Sequence, residues 1–314
     1  MRGNTYGELE NMETRTKYII IVLLSAVIVA FESIAVEALI NIEDINPLLV
    51  SSVPLISGGV LLLAISPKAF GSFVRGLKVR GWSAMLIICA LGAIGIFLWF
   101  DAVSRIGASK EAILGGGSSE VLFIVLLSAL FLKERLNRWE ILGSVLVLLG
   151  VFVVLSNGES VSLDVGFGEA EAILSSLLLA ASVIITTFLL WTHDLTPLSS
   201  VQLILSGAML LTGSLALGLA EPPGIRGLLL MLCLGIAPGL GLWTYNAGLP
   251  KIGASLTSIL FALCGIMTVA VQVSITVVFP EAEMILPKNL GLAILGGVVA
   301  FLGVYLLEVS GSES

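Results

Sequence analysis

Charge is what this chain has least of. Only 12% of its 314 residues are Asp, Glu, Lys or Arg, and these are bunched between long apolar blocks. A water-soluble helical domain needs a polar face along each helix, so that class is excluded. Histidine is all but missing. The single one, His193, stands beside Asp194, with neither HExxH nor an intramembrane GxSxG elsewhere. A membrane-embedded enzyme therefore stays only as an outlying alternative. No Walker A sequence is present, so direct ATP hydrolysis has no visible site. Cysteine is scarce too. Cys89, Cys233 and Cys264 sit inside apolar blocks without CxxC or metal-type spacing and read as packing residues, so neither metal nor cofactor is expected. The net charge of -7 owes much to acids near the termini, Glu8, Glu10, Glu13 and Glu313, and no basic patch points to nucleic acid.

What is abundant is apolar: 57% of the chain. A membrane-crossing helix needs ~20 apolar residues, and ten blocks qualify: 18–40, 47–66, 82–100, 111–132, 139–156, 168–190, 197–220, 227–246, 254–279 and 289–308. The chain is read as an all-α integral membrane protein whose first partner is the lipid bilayer. A signal peptide is not expected, because the first 16 residues are polar, the first block is long enough to span, and no small-residue cleavage site follows. With an even span count both termini share one side. Eleven Lys and Arg residues fall on that side and four on the other, which predicts cytoplasmic termini in a plasma membrane. Homodimerisation is left open.

The chain also resembles itself. Residues 102–109 read AVSRIGAS and 248–255 read GLPKIGAS; residues 141–152 read ILGSVLVLLGVF and 294–305 read ILGGVVAFLGVY, with seven of twelve identical. The chain is thus read as a tail (1–17), a five-helix repeat (18–156), a connecting loop (157–167), a second five-helix repeat (168–308) and a tail (309–314). An odd number of spans per repeat places the two copies in opposite orientations, the inverted-repeat plan of secondary transporters with a midplane site between the halves.

The stretch 120–136, EVLFIVLLSALFLKERL, followed by Gly143 and Gly150, resembles the end of an EamA domain of the drug/metabolite transporter superfamily, and WFDAVSRIGASKEAIL resembles its preceding helices. Val121 stands where that pattern often has Pro, and Lys133 where it often has Gly. The resemblance implies ten helices in two inverted bundles. It also implies a central cavity lined mainly by the first, third, fourth, sixth, eighth and ninth helices, and small-metabolite cargo.

Ionisable groups at membrane depth cost ~2.5–3.5 kcal/mol on insertion scales, so those retained are candidates for function. Glu120 leads. It follows Gly115, Gly116 and Gly117, where the fourth helix can kink or unwind, and a carboxyl there can bind a cationic group or exchange protons. The plainer reading is close packing around a buried, hydrogen-bonded acid. Glu32 stands between a cavity role and a paired structural acid. Glu37, about 140° round the helix from it, is expected to be solvated near the outer interface. Glu111 lies nine residues before Glu120, about 180° away on an ideal helix, and is not grouped with it. Arg105 and Lys110 read as loop or snorkelling ion-pair residues.

Trp99 and Tyr245, equivalent across the repeat, are either gates or an interfacial aromatic belt. Trp243 and Asn246 are softer candidates, and Gln272 reads first as a helix-to-helix hydrogen bond. Gly235, Pro238, Gly239 and Gly241 mark a second breakable helix. The expected function is secondary active transport, in the export direction, of small metabolites, with amino acids or hydrophobic amines favoured and proton coupling as one energy source. The alternative is a facilitative exchanger of nucleotide sugars or phosphorylated metabolites, which would call for Arg or Lys clamps.

Overall fold

The computed structural model describes residues 3–132, 138–156, 166–219, 223–282 and 284–311, all helix, turn or loop, with no strand among them. Lys133, Glu134, Arg135 and Leu136 of the family-like ending, most of the connecting loop and Glu283 lie outside the described residues. Fourteen α-helices follow in order: α1 (Gly3–Asn41), α2 (Pro47–Ile65), α3 (Pro67–Gly76), α4 (Val79–Ile106), α5 (Ala108–Leu114), α6 (Glu120–Leu127), α7 (Arg138–Ser156), α8 (Phe167–Leu190), α9 (Leu195–Ala216), α10 (Ile225–Leu234), α11 (Ile236–Ile252), α12 (Ala254–Phe261), α13 (Leu263–Val278) and α14 (Leu290–Gly311). Wide π turns, Gly115–Ser119 and Ser128–Leu132, flank α6.

Among the described residues, seven helical stretches are long and apolar enough to cross a membrane: Arg15–Asn41, Pro47–Ile65, Val79–Ile106, Phe167–Leu190, Leu195–Ala216, Ile225–Ile252 and Ala254–Val278. The other three expected spans coincide with shorter apolar stretches, Glu120–Phe131, Val145–Val154 and Leu290–Gly303. Large apolar side chains such as Leu148, Phe152, Leu295 and Leu302 are exposed, as a lipid-facing surface requires. This is a multi-pass membrane protein.

Local structure departs from the sequence reading in three places. The polar tail does not stay outside the first helix, because α1 begins at Gly3. A ten-residue helix, α3, occupies a stretch expected to be a loop; its Phe73 is buried while Arg75 stays outside. The eighth apolar block, expected to end at 246, continues as helix to Ile252, with Pro250 in the last turn. Elsewhere the capping follows rule: Pro47 opens α2, where a missing N–H costs nothing, and the Asn46 side chain accepts a hydrogen bond from Leu48 N at 2.9 Å.

Small residues set the helix pairings. A Cβ on Gly59 would lie 2.9 Å from the Ser200 carbonyl oxygen, and one on Gly207 would lie 2.8 Å from that of Ser52. Between α7 and α14, Gly303 packs on Gly143 and Gly150 on Gly296, each with its carbonyl oxygen 2.5 Å from where a Cβ would stand. Both pairs run antiparallel, with partners counting down one helix as they count up the other. The expected Gly235 and Gly239 face is a packing surface: both lie against Gly58 of α2.

Candidate functional site

Between these helices lies a cavity of about 140 Å³. From α1 it takes Ser25, Val29, Glu32 and Ser33, whose spacing puts them on one helical face. Trp99 enters from α4, Glu111 and Ala112 from α5, Gly116 from the π turn and Glu120 from the start of α6. Helix α8 adds a polar stripe, Ser175, Ser176, Ser182 and Thr186. Helix α9 adds Gln202 and Ser206, and α11 adds Pro238, Tyr245 and Asn246. Phe261 and Cys264 complete the wall.

The break in the fourth helix is local and has a hydrogen-bond explanation. Gly115 adopts φ -85, ψ -97, and the Glu120 N–H donates back five residues, to the Gly115 carbonyl. Ser118 donates its hydroxyl to the Ile113 carbonyl and, at 3.2 Å, to Leu114, serving backbone oxygens that the wide turn leaves short of partners. This turn corrects the separation of Glu111 from Glu120. Nine residues on a regular helix give about 180°, but a π turn absorbs one residue without advancing the helix, which leaves roughly 80°. Both carboxyl groups therefore line one cavity.

Glu111 is held there by Trp99, whose indole N–H donates to its Oε2 at 2.6 Å. That bond and the cavity position take Trp99 out of an aromatic belt. Tyr245 is likewise buried, edge-on to Phe261 with centroids 5.0 Å apart. Asn246 donates to Ser199 Oγ at 3.0 Å. Three buried polar atoms in the cavity wall have no partner: Tyr245 Oη, Gln202 Oε1 and Thr186 Oγ1. Buried polar groups are ordinarily paired, so each of these is an open hydrogen-bonding position on the cavity wall.

Two expected residues lie elsewhere. Trp243 is outside the lining and donates to Thr196 Oγ1 at 3.0 Å. Gln272 is fully buried outside the cavity, bonded to Glu37 and Ser109. Glu37, expected to be solvated, is 1% exposed and accepts three hydrogen bonds, because neighbouring helices close over the end of α1. Arg105 pairs with Asp101 at 2.7 Å and Glu171 at 3.1 Å, and Lys110 with Glu169 at 2.5 Å. Among the described lining residues there are three carboxyl groups and no Lys, Arg or His. Of the residues that sequence reasoning passed over, Glu111, Gln202 and the α8 stripe, only the stripe carried a usable signal: Ser175, Ser182 and Thr186, seven and four positions apart, lie on one face of an otherwise apolar helix.

Residues 16–156 match the EamA-like transporter family. The matched residues take in the chain from the start of its first membrane-crossing stretch to the end of α7. That family is one of membrane transporters of the drug/metabolite transporter kind. No curated protein matches the chain. A solved structure described only as "Crystal structure of protein" superposes with a TM-score of 0.64 at 18% identity, covering 93% of this chain and 99% of that one. That likeness concerns the fold alone.

Proposed function

We propose that this EamA-like protein is a secondary transporter that exports small amine-bearing metabolites by alternating access between two inverted five-helix repeats, with both termini cytoplasmic in the plasma membrane. The observation that carries the reading is the wall of the central cavity, where Glu32, Glu111 and Glu120 face unpartnered polar atoms with no cationic side chain beside them. A carboxylate in such a low-dielectric site binds an ammonium group strongly, because the alternative is an unpaired buried charge. Phosphorylated cargo would meet no Arg or Lys clamp there. Trp99, Tyr245 and Phe261 supply aromatic faces for an apolar body or a cation. Glu120 can hold a proton or a cationic group but not both at once, which gives a direct means of exchanging one for the other.

The inverted arrangement is supported by the reciprocal contacts, Gly59 on Ser200 and Gly207 on Ser52, since 52 and 59 precede 200 and 207 by the same interval. It is supported again by Gly107 (φ 80, ψ 155) and Gly253 (φ 87, ψ 160), repeat-equivalent residues with one backbone conformation. The test is the melting shift of purified protein against amines, amino acids, nucleosides and sugar phosphates, with Glu120→Gln alongside. A ligand at about 100 times its Kd adds ~2.7 kcal/mol to the folded state. Amines or amino acids should stabilise the wild type and lose their effect in the variant. Stabilisation by sugar phosphates instead would refute the reading.

A further inference from the structure

Ser33, Trp99 and Glu111 line the cavity on α1, α4 and α5. The next layer toward the end of the bundle that holds residues 41–46 and 105–110 is built around Glu37. Its Oε2 accepts from the Ala108 N–H at 2.7 Å and from Gln272 Nε2 at 2.7 Å, and its Oε1 accepts from the Ile285 N–H at 2.6 Å. Gln272 in turn accepts from the Ser109 N–H at 2.8 Å and from the Ser109 hydroxyl. The first N–H groups of a helix have no partner within it, so α5 is completed by side chains from α1 and α13. Glu37 and Ala108 belong to the first half of the chain, Gln272 and Ile285 to the second, so the cluster crosses the boundary between them.

The repeat supplies its own contrast. Gly107 and Gly253 share a left-handed backbone, yet a Cβ on Gly107 would collide with the Ile285 carbonyl oxygen, while one on Gly253 would have nothing within 4 Å. No acidic residue lies in α8 between Ala172 and Leu190 to serve the turn at Gly253 as Glu37 serves that at Gly107. The ion pairs Arg105 to Glu171, Lys110 to Glu169 and Arg226 to Glu43 all gather at the Glu37 end.

We infer that Glu37 is a gating residue: its carboxylate clasps the α5 amino terminus and the Ile285 segment across the two halves and holds that end of the cavity shut. The inference rests on the carrier reading. In the transport cycle the clasp must open to admit or release cargo at the predicted non-cytoplasmic face, and its loss shifts the population toward that open state.

The experiment places a single cysteine in the cavity, Leu179→Cys, in a chain with Cys89, Cys233 and Cys264 replaced by alanine, and labels it with a membrane-impermeant maleimide from each face of oriented vesicles. Without the clasp variants, labelling proceeds from the cytoplasmic face. Glu37→Ala should raise labelling from the other face roughly tenfold or more, the population shift expected from losing charge-assisted bonds in one of two states. Gly107→Ala, which keeps Glu37 but forces Ile285 away, should do the same. Gly253→Ala pays the same backbone cost and should not. Unchanged outer labelling in both Glu37→Ala and Gly107→Ala overturns the clasp and leaves the carrier reading standing, as does an equal rise with Gly253→Ala. Absence of labelling from either face in every variant overturns both.

Discussion

The two halves of this protein start their fourth helices with the same turn and put opposite chemistry behind it. After Gly107 come Lys110, Glu111, three glycines and Glu120; after Gly253, at the same spacings, come Leu256, Thr257, Phe261 and Ile266. The backbones agree at the glycines and then part. The first half makes a π turn that swings two carboxyl groups into the cavity, whereas the second breaks once, at Ala262, and leaves Ile266 41% exposed outside the cavity. Helix pairing depends on small residues at crossing points, which both halves keep. The cavity's chemistry depends on single side chains and is one-sided.

The largest effect expected from probing this asymmetry is on cargo. Glu120→Gln keeps shape and removes charge, and should lower uptake of an amine cargo into proteoliposomes roughly 10- to 100-fold, the equivalent of one charge-assisted bond. Undiminished uptake would make the first half no more functional than the second. Next, the reciprocal change Ile266→Glu should not create a second site. It would place a carboxyl outside the cavity and should cost about 2.5–3.5 kcal/mol, read as a fall in melting temperature in lipid nanodiscs.

Smaller effects separate the equivalent aromatics. Trp99→Phe strips Glu111 of its donor and should destabilise by about 1–3 kcal/mol. Tyr245→Phe removes a hydroxyl that has no partner, so stability should hold or rise by up to ~1 kcal/mol while cargo-induced stabilisation falls. Thermal melts with and without cargo read both. Smallest of all, Trp243→Phe should cost about 0.5–1.5 kcal/mol for its bond to Thr196 and leave the cargo-induced shift intact. A lost shift there would put Trp243 back among the binding residues.

The sequence alone determined the environment. Apolar blocks without charged faces can be solvated only by lipid, so membrane residence follows from composition. The internal similarity was legible because glycines at helix crossings resist replacement: a Cβ on Gly150, Gly296 or Gly303 would strike a neighbouring backbone, the last that of Gly143. The helix break at Gly115 was equally visible, since three glycines forfeit helix propensity wherever they stand.

Tertiary structure decided which way the acids face. Helical arithmetic set Glu111 opposite Glu120, and one wide turn brought them together, because a 3.6-residue period holds only while the hydrogen bonds stay four apart. The same arithmetic placed Glu37 near an interface, where water is the default partner. Its real partners are the backbone of Ala108 and Ile285 and the side chain of Gln272, up to 248 residues away in sequence. A membrane helix must bury its polar atoms against whichever helix packs beside it, and that neighbour is fixed by the assembled bundle, not by local sequence.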